Sequence, residues 1–292
     1  MANPCLIIPS FRQSEYYDRI LDAVSRQTMA PSHVILVLDR PTSNELLLGK
    51  RSAANFGYSV MSPTSTPQFI GSPLQHPEFD WFLTGDRRNQ AIARAFELNC
   101  DSVIFIDGDC IPDPGLIASH SKWLNQQQAI VTVGRRREER NAGFDQREVS
   151  DRRSNRALFS ADGSDTEIRS EKLMTSSAVT WTCNIGFNRA AIDSIMTCNE
   201  EFYGRREFCN SDFLGSWGGE DSFLGFQAFI LRHRIICLGD PTSGVVHVDH
   251  PRDPRKYDPD AFEGFLTDRI DLFRGLVEAN PSASCLRAQE PR

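Results

Sequence analysis

The sequence predicts an α/β fold built on a parallel sheet with helices on both faces. Unbroken apolar runs, Cys5–Ile8, Val34–Leu38 and Val103–Ile106, recur along the first third of the chain with segments of helical period between them. Strands buried on both faces read as continuous apolar runs rather than alternating ones, which marks a parallel sheet under two helical layers. Two of the runs lead into acids, Asp39 and Asp107-Gly108-Asp109. Carboxylates so placed emerge at the carboxyl edge of the sheet, where open α/β folds hold their ligands.

Taken in order, Cys5–Ile8 is a strand stopped by Pro9, and Tyr17, Ile20, Leu21 and Val24 recur at helical spacing after a possible cap at Ser14. Val34–Leu38 is the second strand. Residues 58–80 are rich in Ser, Thr, Pro and Gly and read as an irregular connection. A helix with Ala91, Ile92, Ala95 and Phe96 on its apolar face leads into the strand ending at Asp107. Arg87, Arg88 and Asn89 fall near its amino end, where backbone N–H groups and cations favour phosphate. Ile130–Val133 is a strand, whereas Gly134–Lys172 is densely charged with both signs interleaved and reads as a solvated loop, insertion or lid. Order resumes over 179–187, with a short helix over Ala190–Met196, a helix beginning near Glu220, strands at Ile235–Leu238 and Val245–Val246, and a last helix carrying Phe262, Phe265, Leu266, Phe273 and Leu276. No repeat or linker divides the 292 residues, so a single domain is expected.

Composition narrows the function. A hydrophobic share of 40% supports a sizeable core, and a formal net charge of -7 argues against a general polyanion-binding surface, so nucleic acid is not the default partner. The amino-terminal stretch has neither a basic n-region nor a long apolar h-region, and no run approaches a membrane span, which gives a cytoplasmic expectation. The cysteines at 5, 100, 110, 183, 198, 209, 237 and 285 lack a C-x-x-C pair; reduced, buried thiols are expected and structural zinc is not.

Two acidic clusters carry the chemistry. Asp-Gly-Asp alone is also good turn chemistry, but after a buried strand its carboxylates suit a divalent metal that itself holds phosphate. Asp109 is then the direct ligand, and Asp107 contacts the metal shell or a ribose. In Trp217-Gly218-Gly219-Glu220-Asp221 the glycines allow close backbone approach, and the indole offers a flat face for a sugar ring. An acid pair at a helix amino terminus is favoured by the dipole and is expected to be anionic at neutral pH, as a general base requires. His247 and His250 flank an Asp after a strand and are candidate metal ligands, a structural role being the alternative. His33 starts a strand, His76 and His120 lie in or near loops, and His233 sits between arginines, so these four are weaker candidates.

These residues resemble the metal-dependent glycosyltransferases of the GT-A fold, family 2 enzymes and their galactosyl- and N-acetylgalactosaminyltransferase relatives. Leu6-Ile-Ile-Pro9-Ser10-Phe11, with Arg12 next, is similar to the family's opening strand and first nucleotide-contact loop. Asp39 resembles its uridine-contacting acid, and Arg88-Asn89-Gln-Ala-Ile its Arg-Asn helix start. Val103–Asp109 resembles the strand bearing the Asp-x-Asp motif. Gly215-Ser-Trp217-Gly-Gly219-Glu220-Asp221 resembles the Trp-Gly-Gly-Glu-Asp segment whose acids contact the acceptor, and His250, before Pro-Arg-Asp, resembles the metal-binding histidine, with His247 where some relatives place a further ligand.

The resemblance implies a GT-A, mostly parallel Rossmann-like sheet with an acceptor-side carboxyl segment. The expected parts are a nucleotide-sugar part over 1–133, a charged loop or insertion over 134–178, an acceptor and metal part over 179–255, and a carboxyl-terminal helix and tail over 256–292. It implies a UDP-sugar donor, manganese or magnesium, and inverting transfer to a glycan or other hydroxyl acceptor. Asp221 would be the base and Glu220 the holder of hydroxyls, or the reverse, and Trp217 and Gly219 would line the sugar site. The second strand ends Asp39-Arg40-Pro41 where the family has paired acids and a Gly-Ser turn, and residues 134–172 have no counterpart in it. Two other classes stand beside this one: a catalytically silent sugar-binding protein on the same fold, and a metal-dependent nucleotidyltransferase, which attacks phosphorus instead.

Overall fold

The computed structural model describes residues 3–62, 84–139, 159–160, 162–169, 182–210, 219–248 and 259–287. Its strands are β1 (Pro4–Ser10), β2 (His33–Leu38), β3 (Ser59–Met61), β4 (Ser102–Phe105), β5 (Cys110–Pro112), β6 (Ile130–Val133), β7 (Arg136–Glu138), β8 (Thr166–Ile168), β9 (Ile185–Asn188), β10 (Arg234–Cys237) and β11 (Val245–His247). Its helices are α1 (Tyr17–Ser25), α2 (Ser43–Phe56), α3 (Thr84–Glu97), α4 (Leu116–Leu124), α5 (Arg189–Tyr203), α6 (Glu220–Ile230), α7 (Pro259–Ala279) and the short α8 (Ser284–Arg287).

Among the described residues eight strands form the main sheet, in the order β3-β2-β1-β4-β9-β6-β10-β8. The first four run parallel, with Ile7 level with both Ile35 and Phe105. β10 is parallel to β6, while β9 runs antiparallel between β4 and β6, and β8 runs antiparallel along β10. This is the mostly parallel α/β sheet expected.

Both faces of the sheet are covered. Cys5 and Ile7 of β1 join a core with Ala91 and Ile92 of α3, Ile192 and Ile195 of α5, and Phe223 and Phe226 of α6. Leu6 and Ile8 turn the other way, onto Ile20, Leu21 and Val24 of α1 and Leu116 and Ile117 of α4. Burying each of the Ile, Leu, Val and Phe side chains is worth roughly 1.5–3 kcal/mol, so the sheet's two-sided apolar alternation holds the layers together. All eight cysteines are buried and free, as expected.

Several local expectations are corrected. Pro9 does not stop β1, which continues to Ser10. Ser10 faces β2, since its carbonyl accepts from Asp39 N–H, so Pro9 presents its missing donor toward β4, which has already ended at Phe105. Ser14 opens a 3-10 turn over Ser14–Tyr16 without capping α1. The sequence reading has no helix at α2, although Thr42 and Glu45 form a capping box there and Gly57 ends it in the left-handed region. α5 runs well beyond Met196, capped by Asn188 and closed by Gly204.

The charged stretch also contains order. β7 and β8 lie within 134–172, where a loop was expected. Their polar sequences gain order from neighbours: Ile168 pairs with Ile235, and Asp165 accepts from Lys122, Trp123 and the Gly239 N–H. His120 lies in α4 rather than in a loop, wholly buried between Thr132 and Asn184. Asn184 spends its amide N–H groups on the Arg135 and Ser243 carbonyls, so its Oδ1 accepts from His120 Nε2–H. Burial pushes His120 down to about 4, so it is a neutral structural residue.

A second, three-stranded sheet, β5-β11-β7, stands at the carboxyl edge of the first. In it His247 lies level with Cys110, and Val248 N–H donates to the Asp109 carbonyl at 2.8 Å. Among the described residues no helix is long and apolar enough to cross a membrane.

Candidate active site

The ends of β1, β2 and β4 lie side by side and deliver Ser10, Asp39 and the 107–109 turn to one edge. Gly108 is required there by proximity: a Cβ would stand 2.6 Å from Gln13 Oε1 and 2.7 Å from Ser10 Cβ. Pro9 and Ser10 are buried, and the Ser10 hydroxyl is turned to Tyr17 Oη at 3.2 Å. Phe11 and Arg12 are what this loop offers outward. The guanidinium carbons of Arg12 and Arg40 lie 4.8 and 5.4 Å from the Phe11 ring centre. Both arginines hold left-handed backbone, φ 57° and 43°, a strain of about 1 kcal/mol or more that tends to collect where ligands bind.

The amino end of α3 is engaged by protein groups. Arg87, wholly buried, donates through Nε to Asp39 Oδ1 at 2.8 Å, and Arg40 Nη2 donates to Asp39 Oδ2 at 3.1 Å. Asp39, expected to meet uridine, is therefore already charge-paired. Asn89 accepts from the Phe208 and Cys209 N–H groups and donates to the Cys209 carbonyl, pinning that segment rather than facing phosphate. Arg88 joins the two acidic clusters, with Nη1 on Glu220 Oε1 at 2.7 Å and Nη2 on Asp107 Oδ1 at 3.4 Å.

Asp109 and His247 come together as the sequence reading requires. His247 Nε2 is 3.4 Å from Asp109 Oδ2, and both side chains are buried. The same oxygen accepts from Gln13 Nε2 at 2.7 Å. One hard divalent cation about 2.1 Å from each ligand atom spans the carboxylate–imidazole gap, so the pair fits such an ion. Partial desolvation raises the half-buried Asp107 carboxyl above its ordinary range, with Arg88 pulling it down and Asp109 pushing it up again.

Gly219 takes φ 88° to cap α6, a conformation that calls for glycine, and sets Glu220 and Asp221 on the first turn. Asp221 Oδ1 accepts from Ser222 N–H at 2.7 Å. The expectation of a plainly anionic acid here is corrected: burial, then the neighbouring Glu220 charge, raise Asp221 to about 7, outweighing Arg88 and the Ser222 N–H. Trp217, Gly218, Asp249 and His250 lie outside the described residues.

The sequence reading missed Gln13, Cys110 and Cys183. A neutral amide carries no titration signal, and nothing in the spacing of the two cysteines announces that their sulfurs meet beside Asp107.

No family model and no curated sequence matches the chain. Solved structures do. TarS 1-349 of S. aureus in complex with UDP-GlcNAc is 15% identical over 94% of this chain, with TM-score 0.62. The longer S. aureus TarS is 15% identical over 86% of this chain, TM-score 0.55. Glucosyl-3-phosphoglycerate synthase from Mycobacterium tuberculosis, in complex with Mn2+, UDP and phosphoglyceric acid, is 13% identical over 95% of this chain and 78% of its own, TM-score 0.51. The chain spans 66% of TarS 1-349 and 37% of the longer TarS. At such identities the likeness establishes the fold, the GT-A arrangement expected from the sequence.

Proposed function

We propose that the protein is a metal-dependent inverting glycosyltransferase that moves a sugar from a UDP-sugar to an acceptor hydroxyl. The observation that carries this is the convergence of Asp107, Asp109, His247, Glu220 and Asp221 at one sheet edge, through the Arg88 bridge and the Asp109–His247 contact. Support also comes from the likeness in fold to proteins whose structures were solved with UDP or UDP-GlcNAc.

Asp109 and His247 would hold manganese or magnesium, with Asp107 in its shell and His250 as a further ligand. The ion, when bound, supplies positive charge opposite the diphosphate of the leaving group. Asp221 takes the proton of the acceptor hydroxyl as that oxygen attacks the anomeric carbon from the face opposite UDP. With Oδ1 occupied by Ser222 N–H, Oδ2 is the basic oxygen, and a pKa of about 7 suits a base at neutral pH. Glu220 Oε1 is held by Arg88, which favours Asp221 over Glu220 as the base. Phe11 and Arg12 would border the nucleotide, Trp217 and Gly219 the sugar. The Trp-Gly-Gly-Glu-Asp likeness favours galactose or N-acetylgalactosamine as the sugar, and a single pocket contact can shift that choice.

The test is a screen of UDP-sugars with manganese and a panel of glycan and other hydroxyl acceptors, read as UDP release. Transfer that stops with chelator supports the proposal. Pyrophosphate in place of UDP would assign a nucleotidyltransferase, and sugar binding with no release from any donor would leave a silent binding protein.

A further inference from the structure

Among the described residues one group of three or more metal-ligating side chains comes together closely. A carboxylate oxygen of Asp107 and the sulfurs of Cys110 and Cys183 all lie within 4.8 Å of one another. Cys110 opens β5, next to Asp109, and Cys183 lies in the 3-10 turn over Thr182–Asn184 that leads into β9. The two thiols are buried under the Asp-Gly-Asp turn, while the Asp107 side chain is 34% exposed and opens the cluster to solvent.

We propose that Asp107, Cys110 and Cys183 form a second cation site, selective for a thiophilic divalent ion such as zinc or cadmium. The ligand chemistry carries the selectivity: two thiolates and one carboxylate suit zinc-like ions, whereas magnesium and manganese take oxygen-rich sets. Tetrahedral zinc with sulfur ligands at about 2.3 Å holds its donors about 3.8 Å apart, so no pair of the three atoms needs to close by more than about 1 Å. Binding releases two thiol protons to solvent. Burial opposes this, since it pushes the Cys110 thiol up, and makes the site weaker than a structural zinc centre. The fourth position falls to water or to Asp109 Oδ1, 3.5 Å from Cys110 Sγ. If the proposed transferase reading holds, such an ion withdraws Asp107 from the donor site, and zinc inhibits rather than supports transfer.

The experiment uses the full chain, freed of metal with chelator and titrated with cadmium. A sulfur-to-cadmium charge-transfer absorption saturating at one equivalent is expected. It should be lost in Cys110→Ala and in Cys183→Ala and kept in Cys198→Ala, a variant in a separate buried thiol pair with Cys285. X-ray absorption on the cadmium-loaded wild type needs no variant and should count two sulfurs with oxygen completing the shell. A shell of oxygen and nitrogen alone, or a band that survives both Cys110→Ala and Cys183→Ala, overturns the site. Neither readout involves UDP or transfer, so failure here leaves the transferase reading standing, and an inactive transferase leaves this site standing.

Discussion

Arg88 Nη1 donates to Glu220 Oε1 at 2.7 Å across 132 positions of sequence, with Arg88 2% and Glu220 9% exposed in their side chains. The second donor of the same fork reaches Asp107. One planar cation thus fixes the distance between the turn after β4 and the first turn of α6. A buried ion pair of this kind adds little over an apolar pair, but breaking it strands a charge.

Arg88→Ala should therefore lower stability by about 3–5 kcal/mol, because Glu220 is left buried without its partner. A urea midpoint measures this. Arg88→Lys should recover less than half of the loss, since a point charge cannot serve both carboxylates as a fork does. An unchanged midpoint in Arg88→Ala would show the bridge to be dispensable.

Asp221→Asn should reduce transfer about 10²–10⁴-fold while UDP and manganese binding persist, the signature of a lost general base. Glu220→Gln should behave differently, losing stability through Arg88 before it loses chemistry. Steady-state rates beside calorimetric UDP titrations separate the two.

The pH dependence follows from the same residue. Asp221 acts only when ionised, so transfer should rise as pH passes upward through about 7, and Asp221→Asn should flatten that limb. Stability moves the opposite way. A folded-state pKa raised above the unfolded carboxyl value gives a contribution fully present below the ordinary carboxyl range and lost as pH climbs through about 7. Melting curves from pH 4 to 8 should show the wild type losing ground to Asp221→Asn across that window.

Gln13→Ala removes the amide N–H that Asp109 Oδ2 accepts at 2.7 Å. Groups that orient a ligand in this way are typically worth about 10–100-fold in metal affinity. The manganese concentration giving half-maximal rate should rise by that factor, with the rate at saturating manganese nearly unchanged. A fall in the saturated rate alone would give Gln13 a different role.

The strands could be read from the sequence because buried parallel strands advertise themselves locally: Leu6 to Ile8, Val34 to Leu38 and Val103 to Phe105 need no partner to be recognised. The edge acids followed from them, and Asp109 and His247 do meet. What escaped depends on distant partners. That Pro9 can stay inside a strand depends on where β4 ends, and the pairing of Glu220 depends on Arg88, 132 positions away in the chain. Asp221 looked ionised because the helix dipole is visible in sequence, while the burial that outweighs it is not. The α2 helix is announced in the sequence by Thr42 and Glu45 alone, since its apolar face is weak, with only Gly49, Ser52 and Ala53 buried.

β9 has a consequence for how the molecule comes to be made. β4 and β6 do not touch; they are joined through β9, which runs between them and is encoded only at Ile185–Asn188. A nascent chain that has emerged as far as residue 133 carries both strands with raw inner edges, and unpaired edges recruit other chains. Closure of the central sheet must wait until residue 188 has been synthesised, and until then its open edges are exposed to misassembly.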